Sequence, residues 1–208
     1  MRIVLTRPEG QNDALATRLR ELGHEILERP LIAVEPLGDE PIELDGYDWL
    51  IVTSANGARE LRRRGRGRAK CVAAIGQATA DAFGGADLVP PVSTQEGLLA
   101  ALPRPAGRVL FAGAEGARRL LADELGAEFV PLYRTRELRP EKPLHGDLVV
   151  LASPSAARAF AELELDIPAV SIGPETTAAA EANGVRVVRE APTHDLSGLV
   201  AAVSAVTR

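Results

Sequence analysis

The sequence predicts two similar α/β domains, each built on a doubly wound parallel sheet with helices on both faces. Two observations lead to this expectation. Apolar strand-like runs alternate with helical segments, and the pattern recurs after about 100 residues. A length of 208 residues suits two small domains of this kind.

The opening segment reads as strand, helix, strand. IVL at 3–5 is a short apolar run that ends in a turn, as a buried strand does. Leu15, Leu19 and Leu22 then recur at helical spacing. Gly23 is placed to end this helix in the left-handed conformation that glycine adopts easily. The run EILERPLIAV returns as a strand.

The next segment continues the alternation. WLIVTS, CVAAIG and DLVP are strand-like, and helices are expected at 58–64, 78–83 and 95–102. Each unit then has about four strands. Strands alternating with helices through short loops are typical of a parallel sheet buried on both faces.

The chain repeats itself at this offset. Residues 72–102 and 169–203 both pass from a strand through Ile-Gly and a threonine into an alanine-rich helix. Gly76 pairs with Gly173 and Thr79 with Thr176, and further upstream Ser54 pairs with Ser153. Such self-similarity indicates a duplicated unit. The repeat alone suggests halves at 1–103 and 104–208, but it does not distinguish sequential from interleaved units.

Composition excludes several classes of protein. The net charge is −5, which argues against a nucleic-acid binder that works by bulk charge. One cysteine and three scattered histidines make a metal site unexpected. No apolar run has the length of a membrane span, and MRIVLTRPEG meets a proline too early for a signal peptide, so a cytoplasmic location is expected. The basic tract RRRGRGRAK is interpreted as a helix end rather than an RNA-binding patch.

Ligands of open parallel sheets bind beyond the carboxyl ends of the strands, where helix N-termini also point. The residues expected there are small, hydroxylated or glycine, and they suit carboxylate or phosphate groups. The alternative is that Ser54, Ser153, Thr79 and Thr176 only cap helices. The expected segments are 6–8, 53–56, 76–79, 112–114, 153–155 and 173–177.

Familiar catalytic motifs do not occur. The sequence has no P-loop and no GxSxG elbow, and GAEG at 113–116 falls short of a dinucleotide-binding fingerprint. His194-Asp195 is interpreted as part of a surface loop. Spacing alone therefore predicts a site for a polyanion and no particular reaction.

Taken in order, a set of short motifs resembles the uroporphyrinogen-III synthase family over nearly the whole chain. The motifs are LTRP at the start, DWLIVTSANGA at 48–58, AIGQATA at 74–80, PLYRT at 131–135, LASPSA at 151–156 and SIGPETTA at 171–178.

This resemblance implies two α/β domains joined by a two-stranded linker, with a cleft between them. Domain 1 would comprise 1–34 plus 137–208 and domain 2 would comprise 39–128. The linker strands would be 31–37 and 130–136. A double linker of this kind is expected to permit hinge motion.

The resemblance also implies the reaction. The enzyme closes hydroxymethylbilane, a linear tetrapyrrole with eight carboxylates, to uroporphyrinogen III with loss of water and inversion of ring D. It would use no cofactor and no metal. The bilane also closes spontaneously to the uninverted isomer, so the enzyme would act mainly by orienting it. The expected partners are this substrate and hydroxymethylbilane synthase as its supplier, with the protein a monomer that binds neither nucleic acid nor membrane.

Specific residues follow from the matched motifs. Tyr133 matches the linker tyrosine of the family, and the resemblance implies that it donates a proton to the departing hydroxyl. The alternative is that it packs in the core, as tyrosines often do. Substrate carboxylates would be bound by Arg7, Ser54, Ala55, Asn56, Gly76, Thr79, Gly113, Ser153, Pro154, Ser155, Gly173 and Thr176.

Two other functions remain open from the sequence. A non-catalytic sensor that closes on a small polyanion would also have two similar lobes and a double linker. A regulator with an attached DNA-binding module is disfavoured, because 208 residues leave no room for that module.

Overall fold

The computed structural model describes residues 1–140 and 143–207, so the expected domain segment 137–208 is described apart from residues 141, 142 and 208. The chain forms two compact units. Unit 1 consists of Met1–Ala33 and Arg136–Arg208, and unit 2 is Val34–Thr135. Unit 1 thus contains both ends of the chain, and unit 2 is inserted into it.

The described residues form twelve strands and eight helices. The strands are β1 (Arg2–Leu5), β2 (Glu25–Glu28), β3 (Ile32–Pro36), β4 (Ile42–Glu43), β5 (Trp49–Val52), β6 (Gly65–Arg66), β7 (Cys71–Ala74), β8 (Val109–Ala114), β9 (Glu128–Glu137), β10 (Leu148–Leu151), β11 (Ala169–Ser171) and β12 (Val187–Glu190). The helices are α1 (Asp13–Glu21), α2 (Ala55–Arg64), α3 (Gln77–Phe83), α4 (Gln95–Ala101), α5 (Leu120–Leu125), α6 (Pro154–Ala161), α7 (Pro174–Glu181) and α8 (Leu196–Val206).

The sheet of unit 1 has the order β12-β11-β10-β1-β2, and all its neighbours pair in parallel. Its side chains alternate between two buried clusters. Val4 and Val149 pack with α6 and α7, whereas Ile3 and Val150 pack with α1 and α8. Helices therefore cover both faces of this sheet, as a doubly wound fold requires.

The sheet of unit 2 has the order β3-β9-β8-β5-β7, with β9, β8, β5 and β7 in parallel. Its faces are covered in the same way. Leu50 and Leu110 pack with α2 and α3, whereas Ile51 and Phe111 pack with α4 and α5. The expected fold class, two similar doubly wound α/β units, is confirmed.

The internal repeat is visible in the strand order. The run β11-β10-β1-β2 of unit 1 corresponds to β7-β5-β8-β9 of unit 2. Gly23 and Gly126, paired in the repeat, follow equivalent helices with φ values of 83° and 59°. Both glycines thus end their helices in the left-handed region, as the sequence predicts for Gly23.

Strands β3 and β9 carry the chain from one unit to the other. They are neighbours in the sheet of unit 2. The Leu37 N–H donates to Leu132 O, and the Leu138 N–H donates to Leu31 O. The residue numbers of these pairs run in opposite directions, so the two strands are antiparallel.

Three details of the strands differ from the sequence prediction. The run EILERPLIAV is two strands, β2 and β3, because the Arg29 and Leu31 N–H groups still bond to residues 5 and 6, while the chain after Leu31 pairs with β9. DLVP makes only a single bridge, between Ala73 and Leu88. Each large sheet has five strands instead of about four. The additional strand is β3 in the sheet of unit 2 and β12 in the sheet of unit 1.

Candidate functional site

Seven of the expected site residues lie in unit 2, at or just beyond the carboxyl ends of its parallel strands. Because these strands are parallel, their carboxyl ends form one edge of the sheet. The residues are Ser54, Ala55 and Asn56 at the start of α2, Gly76 and Thr79 at the start of α3, Gly113 in β8, and Tyr133 in β9.

Tyr133 and Ser54 form the central contact of this edge. The Tyr133 hydroxyl lies 2.8 Å from Ser54 Oγ, and either group can donate. Ser54 also caps α2, since its Oγ accepts a hydrogen bond of 3.0 Å from the Gly57 N–H. The side chain of Ser54 therefore connects the first turn of α2 to the phenol.

Tyr133 is buried, with 6% of its surface exposed. Burial raises the pKa of its phenol above the ordinary value, and the hydrogen bond with Ser54 opposes this by a smaller amount. The phenol therefore stays protonated at neutral pH, and it can donate a hydrogen bond to a bound group.

The neighbouring residues of this edge are closely packed. A Cβ on Gly76 would lie 2.9 Å from Ser93 Oγ, so a larger residue would displace Ser93. Gly113 is buried, and a Cβ there would lie 3.4 Å from Thr53 Oγ1. Asn56 accepts a hydrogen bond of 3.0 Å from Arg59, one turn along α2.

The other six expected residues lie in unit 1, on the corresponding edge of its sheet. Arg7 follows β1, Ser153, Pro154 and Ser155 begin α6, and Gly173 and Thr176 begin α7. The 13 expected residues thus divide into two sets, seven in unit 2 and six in unit 1.

The loop that contains Arg7 is fixed from both sides. The Thr6 hydroxyl, which is fully buried, donates to Val150 O at 2.8 Å. The Asn12 side chain, also fully buried, donates to Arg7 O at 3.4 Å. The half-buried Arg7 therefore extends from backbone that is held to both β10 and α1.

Ser153 caps α6 as Ser54 caps α2. Its Oγ accepts from the Ala156 N–H at 3.2 Å. The two serines are paired in the repeat, and both have extended backbone followed by a helix. Unlike Ser54, Ser153 has no tyrosine partner in the described residues.

Thr79 and Thr176 are not helix caps, which corrects that alternative. The caps are Gly76 and Gly173, which make no side-chain hydrogen bond. Each threonine is the third residue of its helix, and its N–H donates to the carbonyl of the capping glycine at 3.0 Å. Both side chains are at least 95% buried, with 5% of Thr79 and 2% of Thr176 exposed.

A polar cluster near α7 is absent from the equivalent place in unit 2. Ser171 Oγ lies 2.6 Å from Thr177 Oγ1, which also hydrogen-bonds to the Glu190 carboxylate. The repeat places Ala74 and Ala80 where unit 1 has Ser171 and Thr177. The two edges therefore share their backbone design and differ in polarity.

Residues 1–140 and 143–207 contain neither a membrane-spanning helix nor a cluster of metal ligands. No helix there is long and apolar enough to cross a bilayer. No group of three or more His, Cys, Asp or Glu side chains there is placed to hold a metal ion.

Comparison with known proteins places this chain in a family. A family model described as uroporphyrinogen-III synthase HemD matches residues 13–201. The chain belongs to the uroporphyrinogen-III synthase family.

Individual relatives extend over nearly the whole length. A uroporphyrinogen-III synthase from Synechococcus elongatus is 28% identical over 97% of this chain and 93% of its own length. A putative uroporphyrinogen-III synthase from Archaeoglobus fulgidus is 30% identical over 89% of this chain and 91% of its own.

A solved structure shares the fold. The crystal structure of a mutant uroporphyrinogen III synthase from Thermus thermophilus aligns with a TM-score of 0.64. The alignment covers 100% of this chain and 98% of that one, at 19% sequence identity. At this identity the match supports the fold alone.

Sequence reasoning missed three features of this family member's edges. The Ser54–Tyr133 pair joins residues 79 positions apart, and no spacing rule points to it. Asn12 was not singled out, although it is buried beside Arg7. His194 is exposed in a loop, which confirms the surface-loop interpretation, and its ring also lies against Gly173, a contact that the sequence does not indicate.

Proposed function

We propose that this protein is a uroporphyrinogen-III synthase, which closes hydroxymethylbilane to uroporphyrinogen III with loss of water and inversion of ring D. The observation that carries the proposal is the family match over residues 13–201. The geometry adds a buried phenol and a serine in contact at the carboxyl edge of a parallel sheet, where ligands of such folds bind. The sensor function is not favoured, since the relatives described above are named as synthases.

In the proposed mechanism the Tyr133 phenol hydrogen-bonds to the hydroxyl of the bilane and gives up its proton as that hydroxyl leaves as water. Ser54 Oγ already accepts from the Gly57 N–H, so its own proton is available for the phenol oxygen. When Ser54 donates in this direction, the Tyr133 proton is left for the substrate. The same hydrogen bond stabilises the phenolate that forms.

The proton balance closes within one turnover. The carbocation left by the departing water is attacked by the substituted carbon of ring D, and the bond from that carbon to its existing methylene bridge then breaks. The released methylene carbon bonds to the unsubstituted carbon of ring D, which inverts the ring and loses one proton. That proton restores the phenol. No redox step or cofactor is needed for this balance, and the contribution of Tyr133 is modest because its pKa lies above the ordinary phenol value.

We assign the other expected residues to binding. Arg7 supplies positive charge, and the small residues at 54–56, 76, 79, 113, 153–155, 173 and 176 bind or adjoin the carboxylates. Alanine substitutions of Ser54 and Ser153 that leave KM unchanged would contradict this assignment.

We also propose how the chain is organised for this task. The functional domains would be 1–34 plus 137–208 and 39–128, with 31–37 and 130–136 as linker strands. The division of contacts at 33/34 and 135/136 supports these boundaries. Comparing solution scattering of the free and the product-bound protein tests the expected hinge motion, and identical curves would argue against it.

The cellular setting is part of the same proposal. A cytoplasmic monomer would receive hydroxymethylbilane directly from its synthase, because the free bilane closes spontaneously to the wrong isomer. Light scattering of the purified protein measures the oligomeric state. Type III formation is followed in one sample with added hydroxymethylbilane synthase and in a parallel sample with an excess of inert protein. Direct transfer predicts a shorter lag in type III formation only in the sample that contains the synthase.

The decisive experiment supplies hydroxymethylbilane to the purified protein, oxidises the product and separates the type I and type III isomers. The proposal predicts predominantly type III. Type I alone, formed at the uncatalysed rate, would overturn it.

A further inference from the structure

The loops that lead into α4 of unit 2 and into α8 of unit 1 are structural equivalents. In unit 2 the loop ends at Thr94, whose hydroxyl accepts from the Gly97 N–H at 3.0 Å. In unit 1 it ends at Asp195, whose carboxylate accepts from the Gly198 N–H at 2.7 Å. Each capping residue is followed three positions later by a glycine, so both loops enter their helix in the same way.

Both loops are also held tightly to the helix that follows. A Cβ on Gly97 would collide with the carbonyl oxygen of Val92, and a Cβ on Gly198 would collide with that of Thr193. The backbone just before each capping residue is therefore fixed against the first turn of its helix. The backbone from which the next side chain extends, Ser93 in unit 2 and His194 in unit 1, is therefore held in a fixed position.

That next side chain lies over a glycine at the carboxyl edge of the sheet. Ser93 Oγ is 2.9 Å from the position of a Cβ on Gly76. His194 Cδ2 and Nε2 are 2.8 Å and 3.0 Å from the position of a Cβ on Gly173. Each loop thus places one side chain against the glycine that follows β7 or β11 at this edge.

The chemistry of the two loops differs although their placement is the same. In unit 2 the sequence is VPPVS at 89–93, with Val89 37% and Val92 55% exposed. In unit 1 it is EAPTH at 190–194. The two loops therefore share a backbone arrangement, but one is apolar and the other is polar. A ligand would meet different side chains at the two edges.

Within the unit 1 loop, the acidic groups are engaged internally. Asp195 accepts from the Gly198 N–H and from the Thr193 hydroxyl, and Glu190 accepts from Thr177. The exposed His194 imidazole has no hydrogen-bond partner among residues 1–140 and 143–207. Its ring nitrogens are therefore side-chain atoms of this loop that remain for a ligand.

We propose that His194 is a substrate-binding residue that donates a hydrogen bond to a carboxylate of the tetrapyrrole, and that it thereby distinguishes the edge of unit 1 from the edge of unit 2. This inference rests on the proposed function. The ring lies beside Gly173, three residues before Thr176, so a carboxylate bound at the start of α7 is within its reach. Hydrogen bonds to a charged acceptor are stronger than neutral ones, so one such contact is measurable.

The test compares His194→Ala with the matched variant Ser93→Ala in steady-state synthesis of type III product from hydroxymethylbilane. We expect His194→Ala to raise KM about tenfold with little change in kcat, as for loss of one hydrogen bond to a charged group. Ser93→Ala should leave KM nearly unchanged. His194→Gln, which keeps a side-chain donor, should restore much of the affinity.

Each outcome decides the inference. An unchanged KM in His194→Ala, an equal increase in Ser93→Ala, or no recovery in His194→Gln would overturn it, because each would mean that the ring only packs on Gly173. Thermal melting of every variant shows that the compared proteins are folded. If the unmodified protein made only type I product, the proposed function would fail and this inference with it; a normal type III yield with unaffected His194→Ala kinetics would remove the inference alone.

Discussion

Tyr133 combines two properties that normally conflict in a proton donor. Its burial keeps the phenol neutral and makes it a weaker acid, while its contact with Ser54 offers a partner for the phenolate. Because the raised pKa makes the phenol a weak acid, its proton transfer to the departing hydroxyl contributes modestly. The effect of its removal should therefore be moderate.

Replacing Tyr133 by phenylalanine should lower kcat about tenfold to hundredfold, at the low end of general-acid effects. The measurement is the initial rate of type III formation. Tyr47→Phe is the matched control, because Tyr47 is the other tyrosine of the chain, is equally buried and donates to Glu128 instead. Unchanged turnover in Tyr133→Phe would remove this residue from the mechanism.

The raised pKa of Tyr133 also predicts a pH dependence of stability. In the unfolded chain the phenol loses its proton near pH 10, whereas in the folded protein it keeps the proton to a higher pH. Its contribution is thus complete below about pH 10 and is lost as the pH rises through the folded value. Urea unfolding at increasing alkaline pH should show a steeper loss of stability for the unmodified protein than for Tyr133→Phe. Parallel curves would contradict this.

Helices α2 and α6 begin in equivalent ways, but only α2 is tied to a strand by its capping residue. Ser153→Ala should cost about 1 kcal/mol of stability, the usual value of a serine cap. Ser54→Ala should cost about 2 kcal/mol, because it also leaves the buried Tyr133 hydroxyl without this partner. Urea unfolding of the two variants measures both losses, and Ser153→Ala serves as the control because it removes an equivalent serine cap. Equal losses would indicate that the Ser54–Tyr133 contact adds no stability.

How far the sequence predicts these elements depends on whether the signal is local. The helix stop at Gly23 is a property of a few adjacent residues, and it is confirmed. The alternative that four hydroxyl residues cap helices is confirmed as to the caps at Ser54 and Ser153 and is wrong for Thr79 and Thr176. There the caps are glycines, which make no side-chain hydrogen bond and so give a weaker pattern. The Ser54–Tyr133 pair depends on the order β9-β8-β5, which no local pattern contains.

The part of the chain that the structure describes contains four buried clusters, and each takes its residues from one unit. Phe111 and Phe160 are fully buried representatives of the two units. Because the cores are separate, damage to one should be felt mainly within its own unit.

Phe111→Ala and Phe160→Ala should each cost about 3–5 kcal/mol of local stability. Hydrogen exchange followed by mass spectrometry measures which amides are affected. We expect Phe111→Ala to accelerate exchange in β5 and β8, and Phe160→Ala to accelerate it in β10 and β11. Equal acceleration in both units from either variant would show that they unfold as one.

The insertion of unit 2 into unit 1 has a consequence for synthesis on the ribosome. Strand β1 needs β10 as a neighbour, and the pair Leu5 and Val150 are separated by the whole of unit 2. At usual translation rates β1 and β2 wait about 7–30 s for that partner, while residues 34–135 emerge and can complete their own core. The middle of the gene product therefore folds first, and its N-terminus spends this interval as an apolar two-stranded edge that a chaperone can occupy.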